Sequence, residues 1–397
     1  MIDERNYWLS FSVFSGIGPM KFKKLLLGFG SAKDAWAASK PDLIKVLGEK
    51  LADSFDKFRD GFSINDYTKR LQAHNVSFLI LTDGNYPRAL SQIKNPPFVL
   101  YIKGDKEILL SHLTDQNDPS TGSSLRQGYA GQAIAVVGTR KTTSYGREVT
   151  KMFTSELVAA GFVIVSGLAI GIDAISHKTA INNNGKTIAV LGCGVDCCFP
   201  RENQSLYNSI VGNGLAKPDP APQGCVVSEY PLNRLPTKRS FPVRNRIIAG
   251  LSLGVLVTEG AEDSGSLITA NYAFKFSRPV FAVPGPITSS LSKGPYKLIK
   301  KGAKLVTSAN DILEELKIHP SAGSGSKVNP PAGGQNSKVG NATKEERKIL
   351  DILQNEPLHF DELVRRTAFD SSKIGSVLSL MEIKGMVKSL EGGMFSI

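Results

Sequence analysis

Four arginines in this chain, Arg140, Arg201, Arg244 and Arg246, follow or neighbour short apolar runs. Arg140 closes Gly138-Thr139-Arg140, directly after Ala133-Ile134-Ala135-Val136-Val137. Arg201 follows Phe199-Pro200 and is trailed by Asn203. The densest basic segment, Lys238 to Arg246, holds four cations, no acid, and Phe241 among them. A guanidinium fork matches phosphate oxygens, and an aromatic face stacks on a base. For Lys238 and Arg239 a solvated face explains the charge equally well. Arg244 and Arg246 adjoin Ile247-Ile248-Ala249, an apolar helical stretch that would position their heads. With Arg140 and Arg201 they are expected to line one positive crevice fit for a phosphodiester backbone. Lys293, Lys297, Lys300 and Lys301 would extend it. Backbone amides near Gly138, Ser166-Gly167 and Gly192 would add to it, because small residues let an anion approach the chain closely.

Other chemistries fit less well. No GxGxxG follows the first strand of the middle region, and Gly192-Cys193-Gly194 lacks the third glycine. There is no GxxxxGK[ST] loop either, so dinucleotide binding and ATP hydrolysis lack their usual signatures. Asp173 and His177 stand at i, i+4 near Ser166, which evokes a hydrolytic triad. No GxSxG elbow surrounds a serine, so a helix-stabilising Asp–His pair is the expected reading. The four cysteines, Cys193, Cys197, Cys198 and Cys225, lack zinc-site spacing and read as reduced thiols. No metal or cofactor is expected.

The residues that carry charge need a frame, and the middle of the chain supplies one. Apolar runs at Ala133–Val137, Phe162–Val165, Thr187–Leu191, Cys225–Val227, Val255–Val257 and Val280–Val283 alternate with helical stretches. One such stretch, Tyr145 to Ala160, repeats Val149, Met152, Phe153, Leu157 and Ala160 at helical spacing. Another spans about 172–182. Continuous apolar strands separated by helices predict a mostly parallel, doubly wound, Rossmann-like α/β sheet covered on both faces. Gly, Ser, Thr, Arg or Glu follows nearly every run, at the strand ends where such sheets bind ligands.

At 397 residues the chain is too long for one ordinary domain. Four segments are expected: a helical module at 1–75, the α/β domain at 76–316, a Gly/Pro/Ser/Asn-rich linker at 317–342, and a tail domain at 343–397. Polar stretches at 111–131 and 213–223 read as surface insertions. The net charge of +12 divides as +3, +7, +3 and −1 over the four segments. The excess lies on the middle one, which favours a polyanionic partner there. Apolar, charged and aromatic shares of 41%, 21% and 8% are those of a globular protein. No apolar run is long enough to span a bilayer, and the polar, acidic start is unlike a secretory signal, so a cytoplasmic protein is expected.

The flanking segments are helical in pattern. Phe14-Ser15-Gly16-Ile17-Gly18-Pro19 with Phe22 and Leu25-Leu26 resembles a helix-hairpin-helix or SAM-like turn. Residues 343–397 read as a winged helix: three helical repeats, a stop at Gly385, and a hairpin from Val387. Winged helices bind duplex DNA, but a net −1 opposes phosphate binding and favours a protein-contact or regulatory role.

Several motifs then occur in one order: Ala135–Arg140; Ser166–Ala169 with Gly171-Ile172-Asp173 and His177; Phe199–Asn203; Phe241–Ser252; Ser264–Ala270; and Val280–Gly285. Tyr86-Pro87, Pro96-Pro97, Leu100-Tyr101 and Lys103-Gly104 precede them. Over residues 80–317 this order resembles the DprA/Smf family of DNA-processing proteins. The resemblance implies a protein that binds and protects single-stranded DNA and loads the recombinase RecA onto it during natural transformation. It implies a homodimer with no established enzymatic activity. It also implies DNA contacts at Arg140 and Arg201, with Phe199 where the family more often has tyrosine. The competing reading is a nucleotide-binding or nucleotide-hydrolysing Rossmann enzyme with Glu229 or Glu259 as base. Against it, the PGGxGT loop of the related phosphoribohydrolases is missing. A third reading is a structural adaptor whose positive charge is incidental.

Overall fold

The computed structural model describes residues 3–110, 132–212, 222–317, 344–353, 357–367, 369–383, 386–390 and 393–396. The expected insertions, the linker after residue 317 and the helix stop at Gly385 lie mostly or wholly outside the described residues. The chain divides into two compact units, Met1–Ala322 and Gly323–Ile397.

The first unit opens with helices α1 (Glu4–Val13), α2 (Pro19–Phe29), α3 (Ala32–Ala37), α4 (Lys40–Leu47), α5 (Glu49–Asp60) and α6 (Ile64–Ala73). A sheet follows, with strands β1 (Val76–Ile80), β2 (Val99–Gly104), β3 (Ala133–Val137), β4 (Val163–Ser166), β5 (Thr187–Val190), β6 (Gly224–Ser228), β7 (Val255–Val257), β8 (Val280–Ala282) and β9 (Lys304–Leu305). Between and after them run α7 (Arg88–Ser91), α8 (Glu107–Leu110), α9 (Ser144–Ala159), α10 (Ile172–Asn182), α11 (Gln204–Val211), α12 (Ser240–Leu251), α13 (Ser266–Lys275), α14 (Lys293–Lys300) and α15 (Ala309–Glu315). Strand order is β1-β2-β6-β5-β4-β3-β7-β8-β9. From β6 to β9 all pairings are parallel, while β1 and β2 run antiparallel at one edge. The expected doubly wound, mostly parallel sheet is what the sequence folds into.

Its layering follows from the two-residue period of a strand. In β3, Ala133, Ala135 and Val137 face a cluster with Ile247, Leu251 and Leu267, from α12 and α13. Ile134 and Val136 face the other side, with Phe153 and Leu157 of α9 and Ile172 of α10. Burial on both faces explains why these strands read as unbroken apolar runs.

The N-terminal helices share a core with the sheet. Phe22 of α2 stacks on Phe98 at 4.2 Å between ring centroids. Trp8, Phe11, Phe98, Val99, Tyr101, Leu191 and Val226 belong to one apolar cluster. The Ser12 and Tyr101 hydroxyls lie 2.6 Å apart, joining α1 to β2.

The second unit holds α16 (Lys344–Leu353), β10 (Leu358–His359), α17 (Phe360–Thr367), α18 (Ser371–Ile383), β11 (Lys388–Leu390) and β12 (Met394–Ser396). Its three strands pair in the order β10-β12-β11, the winged-helix layout the sequence predicts. Its own core is built on Ile349, Leu353, Leu363, Ile374, Leu378 and Met381. Among the described residues, no helix is long and apolar enough to cross a membrane.

Candidate nucleic-acid interface

Strand order reverses at β3, which lies between β4 and β7. The crevice outside the carboxyl ends of β3, β4 and β5 is where such sheets take ligands. Gly138-Thr139-Arg140 leaves β3, Ser166-Gly167 leaves β4, and Gly192 follows β5.

Most small residues there are already committed. Thr139 is buried, and its amide donates to Glu259 O at 2.8 Å. Ser166 is buried and donates through Oγ to Val136 O at 2.7 Å. The Gly167 amide donates to Asp173 Oδ2 at 3.1 Å. Gly138 is half-buried, and Gly192 is buried against the Phe241 ring. The Ser166–Gly167 cradle expected for phosphate is thus a turn closed by its own carboxylate. Asp173 is the N-terminal acid of α10, and helix and turn satisfy each other. Gly171, at φ +84°, supplies the left-handed backbone that brings α10 under the Thr139 carbonyl.

Asp173 and His177 do not pair with one another as expected. Thr187 Oγ1 gives its proton to Ile164 O at 2.7 Å, so it accepts from His177 Nδ1 at 2.6 Å. Nδ1 therefore carries a proton, and burial holds the pKa down to about 3, which keeps the imidazole neutral. Burial pushes the Asp173 carboxyl above its ordinary value, against the pull of the Arg244 guanidinium. Both groups are scaffold.

The four arginines separate into two pairs. Arg140 and Arg201 are exposed. Among the described residues neither enters an ion pair. Arg244 and Arg246 are buried, which corrects the expectation that they line the crevice with free heads. The physical reason is where their helix begins. Thr237 and Ser240 cap one another, Thr237 N to Ser240 Oγ at 3.0 Å and Ser240 N to Thr237 Oγ1 at 3.2 Å. The helix α12 starts at Ser240, so both arginines fall inside a helix packed against β3, β4 and β5 in the middle of the sheet.

Arg244 Nη1 donates to Gly167 O at 2.6 Å and to Val190 O, and Nε donates to Asn245 Oδ1 at 3.0 Å. The guanidinium therefore ties the ends of β4 and β5 together. A Cβ on Gly167 would lie 2.5 Å from Arg244 Nη2, so only glycine admits this strut. Arg246 Nη2 pairs with Glu229 Oε2 at 2.6 Å. Burial raises the Glu229 pKa, and Arg246 opposes the rise.

What faces solvent is a cation–aromatic group. The Arg140 guanidinium lies 5.9 Å from the Phe241 ring centroid, and Arg244 approaches the same ring at 5.9 Å. Phe199 tilts onto Phe241 at 5.5 Å and remains 42% exposed. Asn203 Nδ2 donates to Leu168 O at 2.9 Å, fixing the loop of Phe199 and Arg201 to the β4 turn. The exposed Phe199 ring is a feature that residue spacing did not reveal. Its signal was there in part, since it is the aromatic beside a basic residue.

Of the lysines expected to extend the crevice, Lys297 pairs with Glu262 at 3.0 Å, and Lys301 donates to Asn271. Lys293 and Lys300 are exposed. The four cysteines are free thiols. Among the described residues no group of three or more His, Cys, Asp or Glu side chains could hold a metal ion.

Fold and site together define a Rossmann-like α/β protein with N-terminal helices, joined in one chain to a winged-helix unit. The family model for DNA recombination-mediator protein A matches residues 124–317, and that for the DprA winged helix domain matches residues 335–393. The chain is 35% identical to Protein Smf of Synechocystis sp. over 417 aligned positions, covering 98% of each. It is 41% identical to the DNA processing protein DprA of Bacillus subtilis, covering 61% of this chain and 71% of that protein. The solved structure of DNA processing protein A from Streptococcus pneumoniae aligns with a TM-score of 0.64 at 33% identity, covering 80% of this chain and 99% of that one. The chain belongs to the DprA/Smf family.

Proposed function

We propose that this protein binds single-stranded DNA without strong base preference and serves DNA processing during natural transformation. The observation that carries the reading is the group at the strand ends. Arg140 and Arg201 are exposed and, among the described residues, free of ion pairs, and Phe199 tilts onto Phe241, whose ring lies under Arg140. Guanidinium groups hold phosphates, and an exposed ring accepts any base on its face. Gly138, Thr139, Ser166, Gly167, Gly192 and Asn203 shape the turns beneath, with Arg244 and Arg246 as internal struts. Kinship with proteins named for DNA processing supports the same reading.

In this proposal the protein protects the strand and loads RecA onto it. It acts as a cytoplasmic homodimer and as a binding protein with no catalytic step. The competing hydrolase needs a free carboxylate in the crevice. Glu229 is engaged by Arg246, and Glu259 accepts from Thr143 N at 3.1 Å and Thr143 Oγ1 at 2.6 Å, at the start of α9. Both engagements favour binding over hydrolysis.

The test is a gel shift with single- and double-stranded oligonucleotides across a salt series. Arg140→Ala with Arg201→Ala is expected to weaken single-strand binding about tenfold or more. It should also reduce the slope of log affinity against log salt by about 1.4, at about 0.7 per phosphate contact. Unchanged affinity at low salt would refute the proposal. RecA nucleation on a long oligonucleotide, with and without the protein, tests loading.

A further inference from the structure

Three of the four thiols, Cys193, Cys197 and Cys198, stand just before the rim residues Phe199 and Arg201. The fourth, Cys225, lies within β6 and is ordinary core. Cys193 is buried beyond the end of β5, while Cys197 and Cys198 are half-buried. Cys193 Sγ donates to Cys197 O at 3.1 Å, and the Cys197 amide donates to Gly194 O at 3.0 Å. The chain thus folds back and sets Cys193 beside Cys197. The two side chains feel each other, since Cys197 adds to the effect of burial in pushing the Cys193 thiol up.

The loop around this pair is anchored unevenly. Before Cys197, the Gly194 amide donates to Arg234 O at 2.9 Å and Val195 O accepts from Tyr207 Oη at 2.5 Å. Asp196 Oδ2 accepts from the Asn233 amide at 2.9 Å. The next side-chain anchor to the sheet is Asn203, bonded to Leu168 O. The stretch between these anchors carries Cys197, Cys198, Phe199 and Arg201. A shift at Cys197 is therefore passed to Phe199 and Arg201.

We propose that Cys193 and Cys197 form a peroxide-sensitive dithiol that regulates the strand-binding rim. The proposal rests on the single-strand reading of that rim. Burial pushes the Cys193 thiol up and the Cys198 thiol to about 11, so neither starts the reaction at neutral pH. Half-buried Cys197 is the point of entry, and a hydroperoxide is the oxidant. The Cys197 sulfur attacks one peroxide oxygen; an S–O bond forms, the O–O bond breaks, and the other oxygen leaves as water with the thiol proton. The Cys193 sulfur then attacks the Cys197 sulfur. An S–S bond forms, the S–O bond breaks, and the hydroxyl leaves as water with the Cys193 proton. Two thiols are oxidised to one disulfide, and hydrogen peroxide is reduced to two waters. The new bond draws Cys197 toward buried Cys193 and takes Phe199 and Arg201 off the rim, so the strand is released. Cytosolic disulfides of this transient kind serve redox sensing.

The full chain is reduced, treated with hydrogen peroxide and freed of the excess. Peptide mapping without reductant reads which cysteines are joined, and a gel shift over a salt series reads single-strand binding. A Cys193–Cys197 bond is expected, with affinity about tenfold weaker, the order of one lost charged contact. The salt slope should shrink by about 0.7 for that one phosphate contact. Dithiothreitol should restore both. Cys197→Ser should bind as the reduced protein does, before and after peroxide. Cys193→Ala should stop at the sulfenic acid, which dimedone captures on Cys197.

Intact thiols after peroxide, a Cys197–Cys198 bond or a bond between two chains would overturn the proposal. So would a Cys193–Cys197 bond that leaves affinity unchanged, or a Cys197→Ser protein that weakens as wild type does. The reduced Arg140→Ala, Arg201→Ala protein is run alongside. If it binds as reduced wild type does, the rim reading fails and the regulation fails with it, whatever the thiols do. If it binds more weakly while peroxide leaves wild type unchanged, only the dithiol proposal fails.

Discussion

Arg140 and Arg244 belong to the same residue type, and the fold gives them opposite uses. Arg244 reaches two strand-end carbonyls and shields Asp173 from being an uncompensated buried charge. Among the described residues Arg140 reaches no acid, and it lies exposed over an aromatic ring. Removing a buried charged partner leaves its acceptors unpaired and costs about 3–5 kcal/mol. Arg244→Ala is therefore expected to lower unfolding free energy by that order in a denaturant titration. Arg140→Ala should change it by no more than about 0.5 kcal/mol, as exposed substitutions do. Equal stability of the two variants would count against the strut. Arg140 was legible from its place after a strand. The burial of Arg244 was not, because a basic residue in a basic segment carries no mark of which way its helix turns.

At the scale of elements, the strands of the α/β part were readable because burial on both faces leaves unbroken apolar runs. Strand and helix bounds from periodicity fall within a residue or two of the structure, as for α9 and α10. The antiparallel edge was less legible, since β1 and β2 depend on pairing partners distant in sequence. The seam between helices and sheet was hidden for the same reason. Phe22 looks like the core of a small helical module, yet it stacks on Phe98 just before β2. Phe22→Ala should destabilise the first unit by about 3–5 kcal/mol, the usual cost of emptying a buried phenylalanine site. A single cooperative transition that moves by this amount, followed by a probe on the sheet, would show that helices and sheet unfold together. A separate early transition of the helices alone would contradict the shared core.

For the whole molecule, the division into two units places all of the rim residues in the first. The second has its own core and a net charge of −1 over residues 343–397. Ending the chain at Ala322 is expected to leave single-strand affinity within about twofold and to leave the salt slope unchanged, since no phosphate contact is lost. A large fall in slope would assign DNA contacts to the winged helix in spite of its charge.

The sequence by itself determined the doubly wound sheet and the family, and it pointed to the strand ends as the expected place for a ligand. Each of these rests on local pattern: strand period, turn chemistry, and motifs in order. Only the tertiary structure decided which cations remain available. Charge is a property of a residue, but its availability depends on what lies within about 3 Å of it. Arg246 met Glu229, Arg244 met two carbonyls, and among the described residues Arg140 and Arg201 met no acid and stayed exposed. Those encounters join segments 17 to 77 residues apart, a range no local pattern reports.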